Sequence, residues 1–125
     1  MAEEQSFDET LWNAYLLQQQ ELCERLDVAH VPTEPNQVIG VADNVGKTPI
    51  NGLRHPLEAD SAGWYIWTGE YDEVDDFFKP IHAYHLLNTK PEIIKYLGLP
   101  IGYRFQIDHD GYEDVWYDET LLNVS

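Results

Sequence analysis

From Leu11 to Leu26 apolar side chains return at three- and four-residue steps, as Leu11, Trp12, Tyr15, Leu16, Leu22, Cys23 and Leu26. That is the period of a helix with one buried stripe, and Gln18 to Gln20 and Glu24 fall on its polar remainder. Ser6 and Glu9 have the S-x-x-E spacing of a capping box, in which two side chains satisfy backbone N–H groups of the first turn. The helix is therefore expected to start there and to end near Asp27. Val31 to Gln37 carries Pro32 and Pro35, which withhold backbone donors, and reads as a connector.

Beyond the connector the pattern changes to short β-branched and aromatic runs. Val38 to Ala42, bounded by Asp43, Asn44 and Gly46, predicts a first strand. Ile50 to Arg54 lies between Pro49 and Pro56, which predicts a short edge segment. Trp64 to Gly69 (WYIWTG) is the strongest strand and is expected at the sheet centre, because aromatic and β-branched residues fill it almost completely. Glu70 to Asp76 holds five carboxylates in seven residues, too much like charge to bury, and reads as an exposed loop; Phe77, Phe78 and Pro80 bring the chain back to the core. Ile81 to Leu87 fits either a short helix or a strand. A second helix is expected from Thr89 as cap and Pro91 in the first turn, with Ile93, Ile94 and Leu97 facing inward and Gly98 closing it in the left-handed conformation. Tyr103 to Ile107 and Tyr112 to Tyr117 flank Asp108-His109-Asp110-Gly111, a strong hairpin signal. The sum is an α+β fold: one domain over residues 1–125, a mostly antiparallel sheet, a helix within residues 1–30 and a second short helix.

Composition narrows the picture. A chain of 125 residues has room for one core and buries roughly two thirds of its unfolded surface. At 43% hydrophobic and 13% aromatic it is too apolar to remain disordered. The lone Cys23 allows no internal disulfide and suits a reducing compartment. Glu3, Glu4 and Asp8 without a basic residue do not resemble a signal peptide, and no stretch reaches the roughly 20 apolar residues of a membrane span. A cytoplasmic location and no membrane partner are the expectation. Charge changes the picture most: 23 acids against 7 Lys and Arg give a net charge of −16. Nucleic acid and anionic lipid repel such a chain, so neither is an expected partner. The same field either keeps the protein soluble or steers a basic partner onto it.

The candidate chemistry is thin. His82 and His85 share a face if helical, but no second cysteine or H-E-x-x-H pattern completes a metal site. Cys23 falls on the apolar stripe, away from the electropositive setting a nucleophilic thiol needs. Asp108-x-Asp110-Gly111 lacks the distal ligands of a calcium loop, and Gly46-Lys47-Thr48 lacks the glycine five positions earlier that a phosphate loop requires. Among 23 carboxylates nothing marks a catalytic pair. No catalytic residue, metal ligand or cofactor is assigned, and the reading is of a binding protein, not an enzyme. Its candidate partner surface is Glu70, Tyr71, Asp72, Glu73, Asp75 and Asp76, flanked by Trp64, Trp67, Phe77 and Phe78, since rings beside clustered charge make protein-binding hot spots. A solvated loop after a core strand is the plainer account of the same residues.

The run Ser61-Ala62-Gly63-Trp64-Tyr65-Ile66-Trp67-Thr68-Gly69-Glu70, then Pro91-Glu92-Ile93-Ile94 and Leu99-Pro100-Ile101-Gly102-Tyr103-Arg104-Phe105, resembles a bacterial family of immunity proteins against polymorphic toxins, immunity family thirty-three, formerly a domain of unknown function. The family pattern is a Ser-Gly-Trp strand ending in Gly-x-Glu and an acidic loop, a proline-started helix, and a Pro-x-Gly strand before a charged hairpin. On this chain it picks out Gly63, Trp64, Trp67, Gly69, Pro100 and Gly102 as structural positions, over roughly Val38 to Tyr117, with the first helix outside. Ala62 intrudes between the serine and the glycine, and Tyr65 stands where arginine is expected, which marks a divergent member. The resemblance implies no catalytic residues; it implies a cytoplasmic protein whose partner is a cognate toxin, and the acidity suits a basic one. Two rival classes stay open: a small enzyme or ligand-binding domain with a Tyr, Trp and His pocket, and a scaffold that dimerises through a sheet edge.

Overall fold

Trp12, Leu22 and Cys23 are buried on one side of α1 (Glu9–Leu26), as the helical period requires. The computed structural model describes residues 8–42, 48–69 and 78–122. Asp8 caps the helix, its Oδ1 accepting from the Leu11 N–H at 3.0 Å, and Ser6 of the expected capping box lies outside the described residues. Asp27 closes it in the left-handed region, φ 59°. The expected stripe holds except at Leu11, which is exposed, and Gln19, which is fully buried. Gln19 sits where α1 crosses the second helical segment, and donates from Nε2 to the Ile94 carbonyl at 3.0 Å.

Six strands follow: β1 (Val38–Ala42), β2 (Ile50–Arg54), β3 (Ser61–Thr68), β4 (Lys79–His82), β5 (Tyr103–Ile107) and β6 (Glu113–Tyr117). They form one sheet in the order β4-β1-β3-β2-β5-β6, antiparallel except for β1 beside β3. β3 lies in the interior of the sheet, as its composition predicts. β2 is not an edge strand: Pro49 and Pro56 stand outside its ladder, so they bound the strand without removing any of its donors. The segment Ile81–Leu87 divides, ending β4 at His82 and passing through a 3₁₀ turn (Ala83–His85) into α2 (Leu86–Thr89).

The expected second helix, Pro91–Tyr96, is a 3₁₀ helix. Thr89 does not cap it, because its Oγ1 donates back to the His85 carbonyl at 3.2 Å. Nor is Gly98 left-handed; it is absent from the positive-φ positions, and a Cβ there would meet Gln19 Oε1 at 2.6 Å and His30 Cδ2 at 2.7 Å. Close packing, not backbone conformation, explains that glycine. The hairpin is as expected: Gly111 has φ 90°, and Asp108 Oδ1 accepts from the N–H groups of Asp110 and Tyr112.

Strand pairing puts Trp64, Ile66 and Ala62 of β3, Ile39 of β1, Ile50 of β2 and Phe105 and Ile107 of β5 on one face of the sheet. These pack with Trp12, Leu22, Leu86, Ile93, Ile94 and Leu97 of the helical layer to make the core. Arg54 shares that face and is 0% exposed. Its Nε donates to the Ala62 carbonyl at 2.9 Å, and its Nη1 to Val31 at 2.6 Å and Leu99 at 2.7 Å. One guanidinium thus joins the connector, β3 and the end of the 3₁₀ helix. Burial pushes its pKa down to about 10, so it stays charged at neutral pH. Beside it the Leu97 carbonyl accepts from Trp64 Nε1 at 3.1 Å and Thr33 Oγ1 at 2.7 Å.

Candidate functional site

Side chains alternate across a strand, so the residues between the core positions of β3 must face the other way. Tyr65 and Trp67 of β3, Leu53 of β2 and Arg104 of β5 do so. With His55, Leu57, Ser61 and Phe78 they line a groove of about 650 Å³ to which no helix among the described residues contributes. The volume lies within the range of small-ligand sites, roughly 300–1,000 Å³.

One wall is a chain of rings. His55 meets Tyr65 at 5.5 Å between centroids, Tyr65 meets Phe78 at 5.2 Å, and Phe78 meets Trp67 at 6.2 Å, each edge to face. Such packing uses the aromatic quadrupoles and holds the rings rigid. Gly40 makes room for it, since a Cβ there would lie 2.9 Å from Tyr65 Cδ2. A carbonyl can only accept, so the 3.1 Å contact between His55 Nδ1 and the Leu121 carbonyl puts the proton on Nδ1. Gly63 is compelled by geometry: φ is +86°, and a Cβ would fall 2.0 Å from the His55 carbonyl oxygen.

The polar end of the groove is Arg104. Its Nη1 donates to Asp118 Oδ2 at 2.9 Å, and its guanidinium lies 5.6 Å from the Trp116 ring centre. Hydrogen bonds from Thr120, then from Arg104, hold the Asp118 carboxyl below its usual range. On the opposite face Glu113 gathers Tyr96 Oη at 2.6 Å, Arg25 Nη2 at 3.3 Å and Lys95 Nζ at 3.9 Å. Burial first, then the Glu113 hydrogen bond and charge, raises the Tyr96 hydroxyl. Among the described residues Arg54 is held inside the fold, and Arg25, Lys95 and Arg104 sit in ion pairs with Glu113 or Asp118.

The expected partner surface, Glu70, Tyr71, Asp72, Glu73, Asp75 and Asp76, lies outside the described residues. The strand ends that lead to it are described: Trp67 pairs with Ala42 and Lys79 with Val41, so Gly69 and Phe78 stand at one end of the sheet, beside the groove. Of the other positions singled out by sequence, Trp64 is wholly core, Trp67 is in the ring wall, and Gly69 and Gly102 have φ of 75° and 96°. The Pro100 carbonyl accepts from the Tyr103 N–H in the turn into β5. His82 stacks on Tyr84 at 5.5 Å, and His85 meets the same ring tilted at 4.4 Å. Among the described residues no three His, Cys, Asp or Glu side chains converge to hold a metal, and no helix is long and apolar enough to cross a membrane. Cys23 is buried with its Sγ donating to the Gly98 carbonyl at 3.4 Å, and burial pushes its thiol up.

Sequence reading missed the groove residues Leu53, His55, Tyr65 and Arg104. The available signal was the alternation within WYIWTG, which sends Tyr65 and Trp67 to the face opposite Trp64 and Ile66.

A six-stranded, mostly antiparallel sheet with helices on one face and a ring-lined groove on the other defines a single α+β domain. The chain belongs to the Imm33-like domain family, whose model matches residues 18–118. That match takes in the second half of α1, which the sequence motifs alone had left outside. Comparison with curated proteins and with solved structures gives no match.

Proposed function

We propose that the chain is a cytoplasmic immunity protein that binds and neutralises a cognate bacterial toxin by occupying its surface, not by chemistry. Membership of the Imm33-like domain family carries the reading. The charge supports it. A net −16, with Arg54 buried and Arg25, Lys95 and Arg104 already paired with acids, presents a surface that attracts a basic protein and repels nucleic acid and anionic membrane. Glu70, Asp72, Glu73, Asp75 and Asp76 supply association rate, and the rigid rings of the adjoining groove supply an apolar anchor site.

The test is binding of the toxin domain encoded beside the chain's own gene, with protection of cells that express it. Reversing Glu70, Asp72 and Glu73 to lysine lowers the association rate about tenfold at low salt and leaves thermal stability unchanged. The difference shrinks at 1 M salt, where screening acts within roughly 3 Å. Equal association rates for the reversed and unreversed chains refute that assignment.

A second reading rests on the groove, whose volume of about 650 Å³ suits a small apolar ligand. A small molecule that copurifies with the chain and is lost in Tyr65→Ala favours it over the toxin.

A further inference from the structure

The two edges of the sheet are built differently. β4, at one edge, is four residues long and carries Lys79 and Pro80, the devices by which natural edges are blunted. β6, at the other edge, has neither lysine nor proline. The β5–β6 ladder fixes which of its backbone groups are spoken for. Asp108 N–H donates to the Tyr112 carbonyl and Asp118 N–H to the Gly102 carbonyl, so residues 112, 114, 116 and 118 face β5. By antiparallel alternation the N–H and C=O groups of Glu113, Val115 and Tyr117 face outward. Among the described residues no strand pairs with them.

The side chains along this edge are those of a binding surface. Tyr112, Trp116 and Tyr117 are 47%, 37% and 49% exposed. Trp116 and Asp114 stand on the groove face, Tyr117 on the helix face. Residues 108–119 hold six acids and no Lys or Arg. Arg25 and Lys95 engage Glu113, and Arg104 engages Asp118. That leaves Asp108, Asp110, Asp114 and Glu119 without a cation in contact among the described residues. Such an edge repels a second copy of itself, which brings the same acids to the same place. It selects a basic strand.

We propose that β6 is the docking strand for the toxin: an extended basic segment of the partner adds to the sheet alongside Glu113–Tyr117. Its main chain bonds to Glu113, Val115 and Tyr117, and its Lys or Arg side chains lie over Trp116 against Asp114. This deepens the immunity reading and rests on it.

The experiment uses the intact chain and the toxin domain encoded beside its gene, with hydrogen exchange read at single amides. The Glu113, Val115 and Tyr117 amides exchange fast in the free chain and become protected in the complex. Val115→Pro removes one outward donor while leaving every β5 bond in place, and Trp116→Ala removes an exposed ring; each weakens binding at least tenfold with thermal unfolding still cooperative. Exchange decides the matter even if Val115→Pro unfolds. Tight binding without protection of those amides overturns the docking strand and leaves the immunity reading standing. Failure of the unaltered chain to bind the toxin overturns both. Protection of the same amides in a homodimer without toxin assigns the edge to a second copy and overturns the basic partner.

Discussion

Arg54→Met tests the account of the core most directly. The guanidinium is fully buried with no carboxylate beside it among the described residues, and its three short bonds run to the carbonyls of Ala62, Val31 and Leu99. A hydrogen bond to a charged group contributes about 1.5–3 kcal/mol, so three amount to roughly 4–9 kcal/mol. Methionine also spares the cost of keeping a charge out of water, which is several kcal/mol after relaxation. Several kcal/mol spared out of a loss of roughly 4–9 kcal/mol leaves a destabilisation of about 2–5 kcal/mol, a large share of a typical 5–15 kcal/mol. At this chain length that lowers the unfolding midpoint by roughly 10–20 °C. Urea unfolding followed by tryptophan fluorescence reads it, since the guanidinium lies 5.5 Å from the Trp64 ring. Arg54→Lys keeps the charge but not the fork that reaches three separate carbonyls, and recovers little. A loss under about 1 kcal/mol in Arg54→Met means that apolar packing alone holds these segments together, and the reasoning fails.

Three further outcomes follow from other parts of the structure. Gly63→Ala forces a Cβ against the His55 carbonyl at positive φ and costs about 3 kcal/mol; a denaturation midpoint equal to the parent's contradicts the geometry. The Tyr96 hydrogen bond, then that of Arg25, holds the Glu113 carboxyl below its ordinary 4.5 against the opposing effect of burial. A depressed carboxylate stabilises fully above that ordinary value and loses its contribution as pH falls through the folded one. The stability gap between parent and Glu113→Gln is therefore widest near neutral pH and closes in acid; a gap constant down to roughly pH 3 rules this out. Cys23, buried with its thiol pushed up, reacts with Ellman's reagent only as fast as the fold opens, so adding urea accelerates labelling; rapid labelling of the native chain places the thiol at the surface instead.

Elements whose cause is local were legible in the residues. The period from Leu11 to Leu26, the β-branched and aromatic runs, and Asp-Gly between two strands each act within a few residues, and α1, β1, β3 and the β5–β6 hairpin follow them. The family pattern was legible for the same reason, as contiguous motifs. Strand order was not. Pro49 and Pro56 limit β2 in length but carry no information about its neighbours, and its pairing with β5 spans some fifty residues of sequence. Gln19 and Arg54 are buried because carbonyls of Ile94, Val31 and Leu99 converge on them from distant segments. The groove likewise exists only once β1, β2, β3 and β5 lie side by side. Local propensity encodes each element along one stretch of chain. Burial of a polar group, the outer edge of a sheet and the shape of a groove are properties of several stretches brought together, and tertiary packing alone decides them.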